Sequence, residues 1–283
     1  MNPIVVPESF NYIGVFLTFR CQLNCDYCIN KHRGVPSRRI EMSGDKWLAG
    51  LRRLKTKLPL TFQGGEPTLH RDFFYLVNNL KGYDKDVLTN LEIDADKFNH
   101  STFIGTFQRD AKYASIRVSY HHGYSCWHTL TRRVLELQAL GFSIGVWEIE
   151  HPAHPKAARE RREKALALGI DYRLKEFLGM WKGKMYGTMK YEGAVGSGME
   201  RNCMCKPSEL LIGPAGDMYR CHSDLYAGEN SFHNLFDTWV EDLDKSRRCD
   251  KYGSCNACDI KIKNNRFQEA GHTSVEISKI KLP

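Results

Sequence analysis

Short apolar runs alternate along this chain with longer stretches in which apolar residues recur at every third or fourth position. That alternation predicts βα units, and so a parallel sheet with helices packed outside it. Tyr12-Ile-Gly-Val-Phe-Leu-Thr-Phe19 reads as a first buried strand and Leu58 to Gln63 as a second. Between them, the pattern from about Ser43 to Lys57 predicts a helix capped by Ser43, whose hydroxyl can accept a free amide of the first turn. A helix near Arg71 to Leu80, a strand Asp86 to Asn90 and a candidate strand Phe103 to Phe107 follow. Ala114 to Tyr120, a helix Leu130 to Leu140, Ser143 to Ile149, a helix His154 to Leu168 and Tyr172 to Phe177 continue the alternation. Six βα units in about 180 residues predict a partial barrel, because a closed eight-unit barrel takes about 250.

Beyond this region the pattern changes. Gly193, Gly196 and Gly198, within Gly187 to Gly198, read as linker and divide a core of residues 1–192 from a second domain of 193–283. Leu210-Leu-Ile-Gly-Pro-Ala-Gly-Asp-Met-Tyr219 predicts a β-hairpin that carries Cys221 back towards Cys203 or Cys205. The tail from Asp259 has the apolar alternation of a short strand or helix packed back on the barrel.

The candidate chemistry begins where the first strand ends. Cys21, Cys25 and Cys28 have the spacing C-x3-C-x2-C. Three thiols can hold three irons of a cubane and leave the fourth open, whereas an electron-transfer cluster takes four; a structural zinc site, with His32 as a nearby fourth ligand, is the alternative. The buried strand ahead of Cys21 does not suit a zinc-ribbon hairpin. Tyr27, just before the last thiol, is placed to present its ring beside the open iron. The second strand ends in Gly64-Gly65-Glu66-Pro67, where two glycines let backbone pass close to a ligand and Glu66 offers a carboxylate to an ammonium group.

Strand, cysteine loop, helix, strand and Gly-Gly-Glu-Pro in this order resemble the radical S-adenosylmethionine (SAM) enzymes. The resemblance implies an α/β fold, a partial (β/α)6 TIM-like barrel with a small C-terminal β-hairpin/α iron-sulfur domain. It also implies a [4Fe-4S] cluster on Cys21, Cys25 and Cys28 whose open iron is chelated by the amino and carboxylate groups of SAM. Tyr27, Gly64, Gly65, Glu66, Pro67, Asn90 and Ser119 are its implied cofactor contacts. A helix N-cap for Asn90 and a strand-edge hydroxyl for Ser119 are the structural alternatives. A one-electron reductant such as flavodoxin or ferredoxin is implied as a partner.

After the fourth strand the aspartate usual in the family is missing. The chain has Ser119-Tyr-His-His-Gly-Tyr-Ser-Cys126 instead. His121, His122, Tyr124 and Cys126 are candidates for acid, base or hydrogen-atom donor, against a plain loop with solvated histidines and a small buried thiol. Glu148 and Glu150 alternate with Trp147 and Ile149, and with one parity facing the interior, at most one of the two is expected to touch substrate or cofactor.

Six further cysteines lie after residue 200. The segment from Arg201 to Cys221 resembles the start of an auxiliary-cluster module, called SPASM when long and twitch when short. The resemblance favours one further [4Fe-4S] cluster on Cys203, Cys221, Cys255 and Cys258, with Cys205 as a substitute for Cys203 and Cys249 outside the set. A zinc site with His222 or His233 as spare ligands is the alternative; otherwise His222 is a donor to a cluster sulfur or a substrate contact.

Composition adds bounds. A hydrophobic content of 42% supports an ordinary core, and no apolar run is long enough for a membrane span. The N-terminus lacks a signal-peptide pattern, and with ten cysteines read as ligands and not disulfides the expected location is the cytoplasm. The net charge of +8 comes from scattered Lys and Arg, and cluster thiolates offset part of it, which argues against a nucleic-acid partner. Arg38, Arg39, Arg132 and Arg133 would suit an acidic substrate, or simply solvated helix faces. The expected function is hydrogen-atom abstraction by a 5′-deoxyadenosyl radical, leading to oxidation or bond formation on a peptide with the auxiliary cluster as electron acceptor. A dehydrogenase of a small aminocyclitol-like or sugar-like molecule, and a zinc-stabilised binding protein, are the alternatives. With the first strand starting near residue 12, a leader-peptide recognition domain in front of the barrel is not expected.

Overall fold

Strand β1 (Ile13–Thr18) is apolar on both sides because both sides are covered. Ile13, Val15 and Leu17 join the main core, while Phe16 packs on the opposite side with Leu211, Tyr219, Leu225 and Tyr226. The computed structural model describes residues 2–31, 40–93, 106–107, 113–263 and 271–280. The candidate strand Phe103 to Phe107 lies almost wholly outside them, as do His32, Arg38, Arg39 and much of the tail after Asp259.

Helix α1 (Gly44–Leu51) starts as expected, with the Ser43 side chain accepting from Lys46 N, but it is shorter than the pattern to Lys57 predicted. Arg53 turns away to donate to the carbonyls of Asn2 and Asp237, and Leu54–Lys55 pairs in parallel with Ile4–Val5. The alternation then continues through β2 (Leu60–Gly64), α2 (Phe73–Asn79), β3 (Lys85–Thr89), β4 (Ile116–Tyr120), α3 (Trp127–Ala139), β5 (Ile144–Glu150), α4 (Pro155–Ala167) and β6 (Tyr172–Glu176). The strands β1 to β6 are parallel neighbours in chain order, so their C-terminal ends share one rim. This is an open, partial barrel.

The C-terminal segment is joined to that sheet directly. After β7 (Arg201–Pro207), strand β8 (Leu210–Ile212) lies parallel to β1, with Leu210 opposite Ile13 and Ile212 opposite Val15. The hairpin then returns through β9 (Asp217–Tyr219), helix α5 (His222–Ala227) follows, and β10 (His233–Asn234) forms the sheet edge. A second, antiparallel sheet sets β7 between β11 (Arg247–Tyr252) and β12 (Val275–Ser278), with helix α6 (Ala257–Ile260) between those two in sequence.

The Gly187 to Gly198 stretch is not the loose linker its composition predicted. Ala194 is fully buried, and its carbonyl accepts from the amides of Gly253 and Cys255. Gly193, Gly196 and Gly198 take φ values of 69°, 63° and 72°, which a β-carbon would strain, so glycine here bends a hydrogen-bonded strap against the second thiol segment. Among the described residues no helix is long and apolar enough to cross a membrane.

Candidate active site

The cysteine loop leaves β1 at the barrel rim, where the ends of three other strands meet it. The carbonyls of Thr18 and Arg20 accept the amides of Gly65 and Glu66 at 2.9 and 2.7 Å. A β-carbon on Gly64 would lie 2.1 Å from Thr18 O, and one on Gly65 would lie 2.2 Å from Arg20 O. The two glycines therefore allow the close approach of this turn to the cysteine-bearing strand end.

Glu66 is buried and already engaged. Its Oε1 accepts from Thr68 Oγ1 at 2.6 Å, Thr68 N at 3.2 Å and Thr89 Oγ1 at 2.8 Å, and its Oε2 accepts from Asn90 N at 2.7 Å. Burial pushes the carboxyl pKa up against the pull of these donors. Asn90 does not cap a helix: its Oδ1 accepts from Gln22 Nε2 at 3.0 Å, and its Nδ2 lies 3.8 Å from Cys21 Sγ. The chain Glu66, Asn90, Cys21 thus links the end of β2 to the first thiol through β3. Three thiols on one short loop, with an amide donor at one sulfur, are a donor set whose chemistry fits the implied cluster.

The β4–α3 loop reaches the same place. Tyr124 Oη accepts from Asp26 N at 3.1 Å, and the Tyr27 ring packs against His121, Tyr124 and His151 at centroid distances of 6.2, 6.2 and 5.6 Å. His122 packs at a tilt against His154 with centroids 4.5 Å apart, and His151 meets Phe177 and Trp181. Burial, reinforced by the charge of Lys175, lowers His121 to about 4, and burial also lowers His122 and His151, so these imidazoles are neutral at pH 7. His121 Nδ1 and His122 Nδ1 are buried without a partner among the described residues. Ser119 alternates with the core-facing Val118 and Tyr120 and so lies on the inner side, opposite Trp147 in register. Cys126 is exposed at the start of α3, and not the buried thiol of the alternative reading. His151 and His154 were missed by sequence reasoning; their position just after a strand that ends on the rim was the available signal.

Glu148 and Glu150 correct the earlier expectation. Two residues apart, they share one side of β5, and that side faces α4. Glu148 is buried and accepts from Arg161 Nε and Nη2, one edge of the guanidinium, and from Tyr172 Oη at 2.5 Å; Glu150 meets Arg159 at 2.7 Å. Both hold a helix and neither lines the interior. Glu148→Ala is expected to cost about 3 kcal/mol in chemical denaturation, because Arg161 is left half-buried and unpaired, with little change in cofactor affinity.

Five of the six late cysteines line one cavity: Cys203, Cys205, Cys221, Cys249 and Cys255. Cys203 and Cys205 share a face of β7, and Cys249 stands opposite Cys203 on β11. A hydrogen bond from Cys203 lowers the Cys249 pKa to about 6 and raises that of Cys203. Cys258, expected as the fourth ligand, does not line this cavity; its thiol lies within reach of the charges of Lys263, Glu209 and Asp259. Cys249, set aside on sequence, is brought in, because strand pairing and not sequence distance determines its neighbour. Five thiols around one cavity, with buried Arg220 at 2.6 Å from Asp224 on its wall and Lys251 beside it, fit a thiolate-bound cluster. His222 binds Asp259 Oδ1 at 2.8 Å and His233 reaches Glu241 O, so both have structural partners.

No curated protein matches the sequence. Among solved structures the fold is similar to SuiB of Streptococcus suis bound to precursor peptide SuiA, at 14% identity and a TM-score of 0.55 over 86% of this chain and 66% of that one. It is similar too to anSMEcpe with bound AdoMet, at 14% identity and a TM-score of 0.53 over 80% of this chain and 75% of that one. BtrN in complex with AdoMet and 2-DOIA aligns at 15% identity and a TM-score of 0.52 over 92% and 96%. The chain thus spans just under two thirds of SuiB. Residues 15–117, which contain Cys21, Cys25, Cys28 and Gly64 to Pro67, match the model of the Radical SAM superfamily.

Proposed function

We propose that this protein is a radical SAM enzyme that takes a hydrogen atom from its substrate and completes a two-electron oxidation or a bond formation. The observation that supports this best is the bracing of one three-thiol loop by the ends of β2, β3 and β4. A [4Fe-4S] cluster with SAM supplies, when bound, the one-electron cleavage that gives methionine and a 5′-deoxyadenosyl radical. Cys21, Cys25 and Cys28 would hold the cluster. Glu66 Oε2 accepts one bond in the structure and so keeps a lone pair for the cofactor's ammonium group. Tyr27 and the neutral histidines wall the mouth, and the inward Ser119 offers a hydroxyl.

A second cluster, when bound at the late thiols, supplies an acceptor for the substrate's second electron. Cys221 and Cys255, with two of Cys203, Cys205 and Cys249, would hold it, whereas Cys258 does not line their cavity. The reductant is a flavodoxin or ferredoxin, and the substrate is a peptide or peptidyl side chain. The near-equal coverage with BtrN favours a second reading, a small-molecule dehydrogenase. The test is anaerobic reconstitution with iron and sulfide, followed by iron and zinc analysis and assay of 5′-deoxyadenosine after reduction with SAM. About eight irons with cleavage support both clusters; about four irons with zinc at the late thiols remove the second acceptor. No cleavage by a fully loaded protein removes the radical reading.

A further inference from the structure

The inner side of the barrel near β6 and the C-terminal segment gathers cations. Four have a carboxylate of their own: Arg117 Nη2 lies 3.3 Å from Asp86 Oδ2, Arg173 Nε 2.9 Å from Asp171 Oδ1, Lys261 Nζ 3.4 Å from Glu176 Oε2, and Lys263 Nζ 3.0 Å from Glu209 Oε1. Lys175, on β6 opposite Ile149, has no carboxylate and no hydrogen-bond partner among the described residues. Its Nζ stands 5.9 Å from the centroid of the Trp147 ring, and its side chain is open to solvent. The ammonium is within electrostatic reach of Arg117, Lys261, Lys263 and Cys258, and His121 feels its charge in turn. Its charge therefore reaches both the histidine beside the three-thiol loop and the second thiol segment.

Keeping an ammonium among like charges without a counter-ion is unfavourable, and partial desolvation by the surrounding protein, with those cations, brings its pKa down to about 8. At pH 7 it is still mostly charged. A sequence that matches each surrounding cation with a carboxylate and leaves this one open keeps the place for an anion from outside. One unmatched charge suits a singly charged group, whereas a phosphate ester brings about two negative charges. The Trp147 face beside it offers apolar surface to the carbon that bears the anion.

We propose that Lys175 receives a single carboxylate of the substrate, seated against Trp147, so that the substrate class is a carboxylate-bearing molecule. This rests on the reading of the barrel mouth as the site of radical chemistry.

The test is competitive acetylation of lysines in the anaerobically reconstituted full chain, with each lysine quantified by mass spectrometry. N-acetylglycine as the probe is expected to slow labelling of Lys175 by about tenfold at saturation, as site occupancy by mass action requires, and to leave exposed Lys182 unchanged. N-acetylglycinamide, which lacks the charge, should have no effect. Stronger protection by inorganic phosphate, protection by SAM alone, or protection by cluster loading with nothing added by the carboxylate would each overturn the proposal. So would no protection at any probe concentration. Reductive SAM cleavage, measured on the same preparation, separates the two readings. Cleavage without carboxylate protection removes the anion site alone, and protection without cleavage removes the radical reading alone.

Discussion

Cys21→Ala is expected to abolish reductive cleavage of SAM, to below roughly one-thousandth of the wild-type rate, because the hard chemistry belongs to a cofactor that this thiol helps to hold. Cys21 is exposed and its side chain makes a long contact with Asn90, so the substitution does not unpack the core. The melting temperature of the apoprotein should therefore stay within about 2 °C of wild type, as for a surface change. Iron after reconstitution should fall from about eight to about four, since the late thiols are untouched. The three quantities separate the causes: lost iron with an intact fold marks a ligand, whereas a lowered melting temperature marks a structural thiol. A Cys21→Ala protein that cleaves SAM at the wild-type rate would remove the assignment.

How much of this was legible in the sequence depends on the range of the interactions concerned. The six parallel strands were, because each announces itself in a short apolar run, and so was the Ser43 cap, a contact between residues three apart. The end of α1 was not, because Arg53 is turned by carbonyls at Asn2 and Asp237, far away in the chain. The three-thiol loop was read from spacing alone. Its supports were only half read: Asn90 was picked as a cofactor contact, yet its bonds to Gln22 and Cys21 cross 68 and 69 positions. Cys249 shows the same limit, since nothing local says that β11 will set it opposite Cys203. Glu148 failed for a further reason. A charged residue at a strand end on the rim suggests chemistry, but side-chain parity, fixed by Ile144 and Val146 packing in the core, commits it to Arg161 and α4.

Glu66→Ala is expected to be the most damaging change among the cofactor-facing residues that are not thiols. Its carboxylate accepts from Thr68 N, Thr68 Oγ1, Thr89 Oγ1 and Asn90 N, in a site with 1% of its surface exposed. Removing it leaves these donors without an acceptor, at a cost of about 4 kcal/mol, the sum expected for several buried unsatisfied groups less what water recovers in the cavity. The melting temperature should fall by roughly 8 °C for a chain of this size. Because Asn90 passes the constraint on to Gln22 and Cys21, iron at the first site should also be retained less well. Glu66→Gln separates the two roles of the side chain. It keeps an acceptor oxygen for Thr68 and Thr89, so about half the stability loss is expected, but it removes the negative charge that would meet the cofactor's ammonium group. The KM for SAM should then rise about tenfold or more, the usual loss for a charge-assisted bond. If Glu66→Ala kept both melting temperature and iron, the carboxylate would not organise the loop. If Glu66→Gln lost stability but left the KM for SAM unchanged, its role would be confined to the loop and the ammonium would have to find its partner elsewhere on the rim.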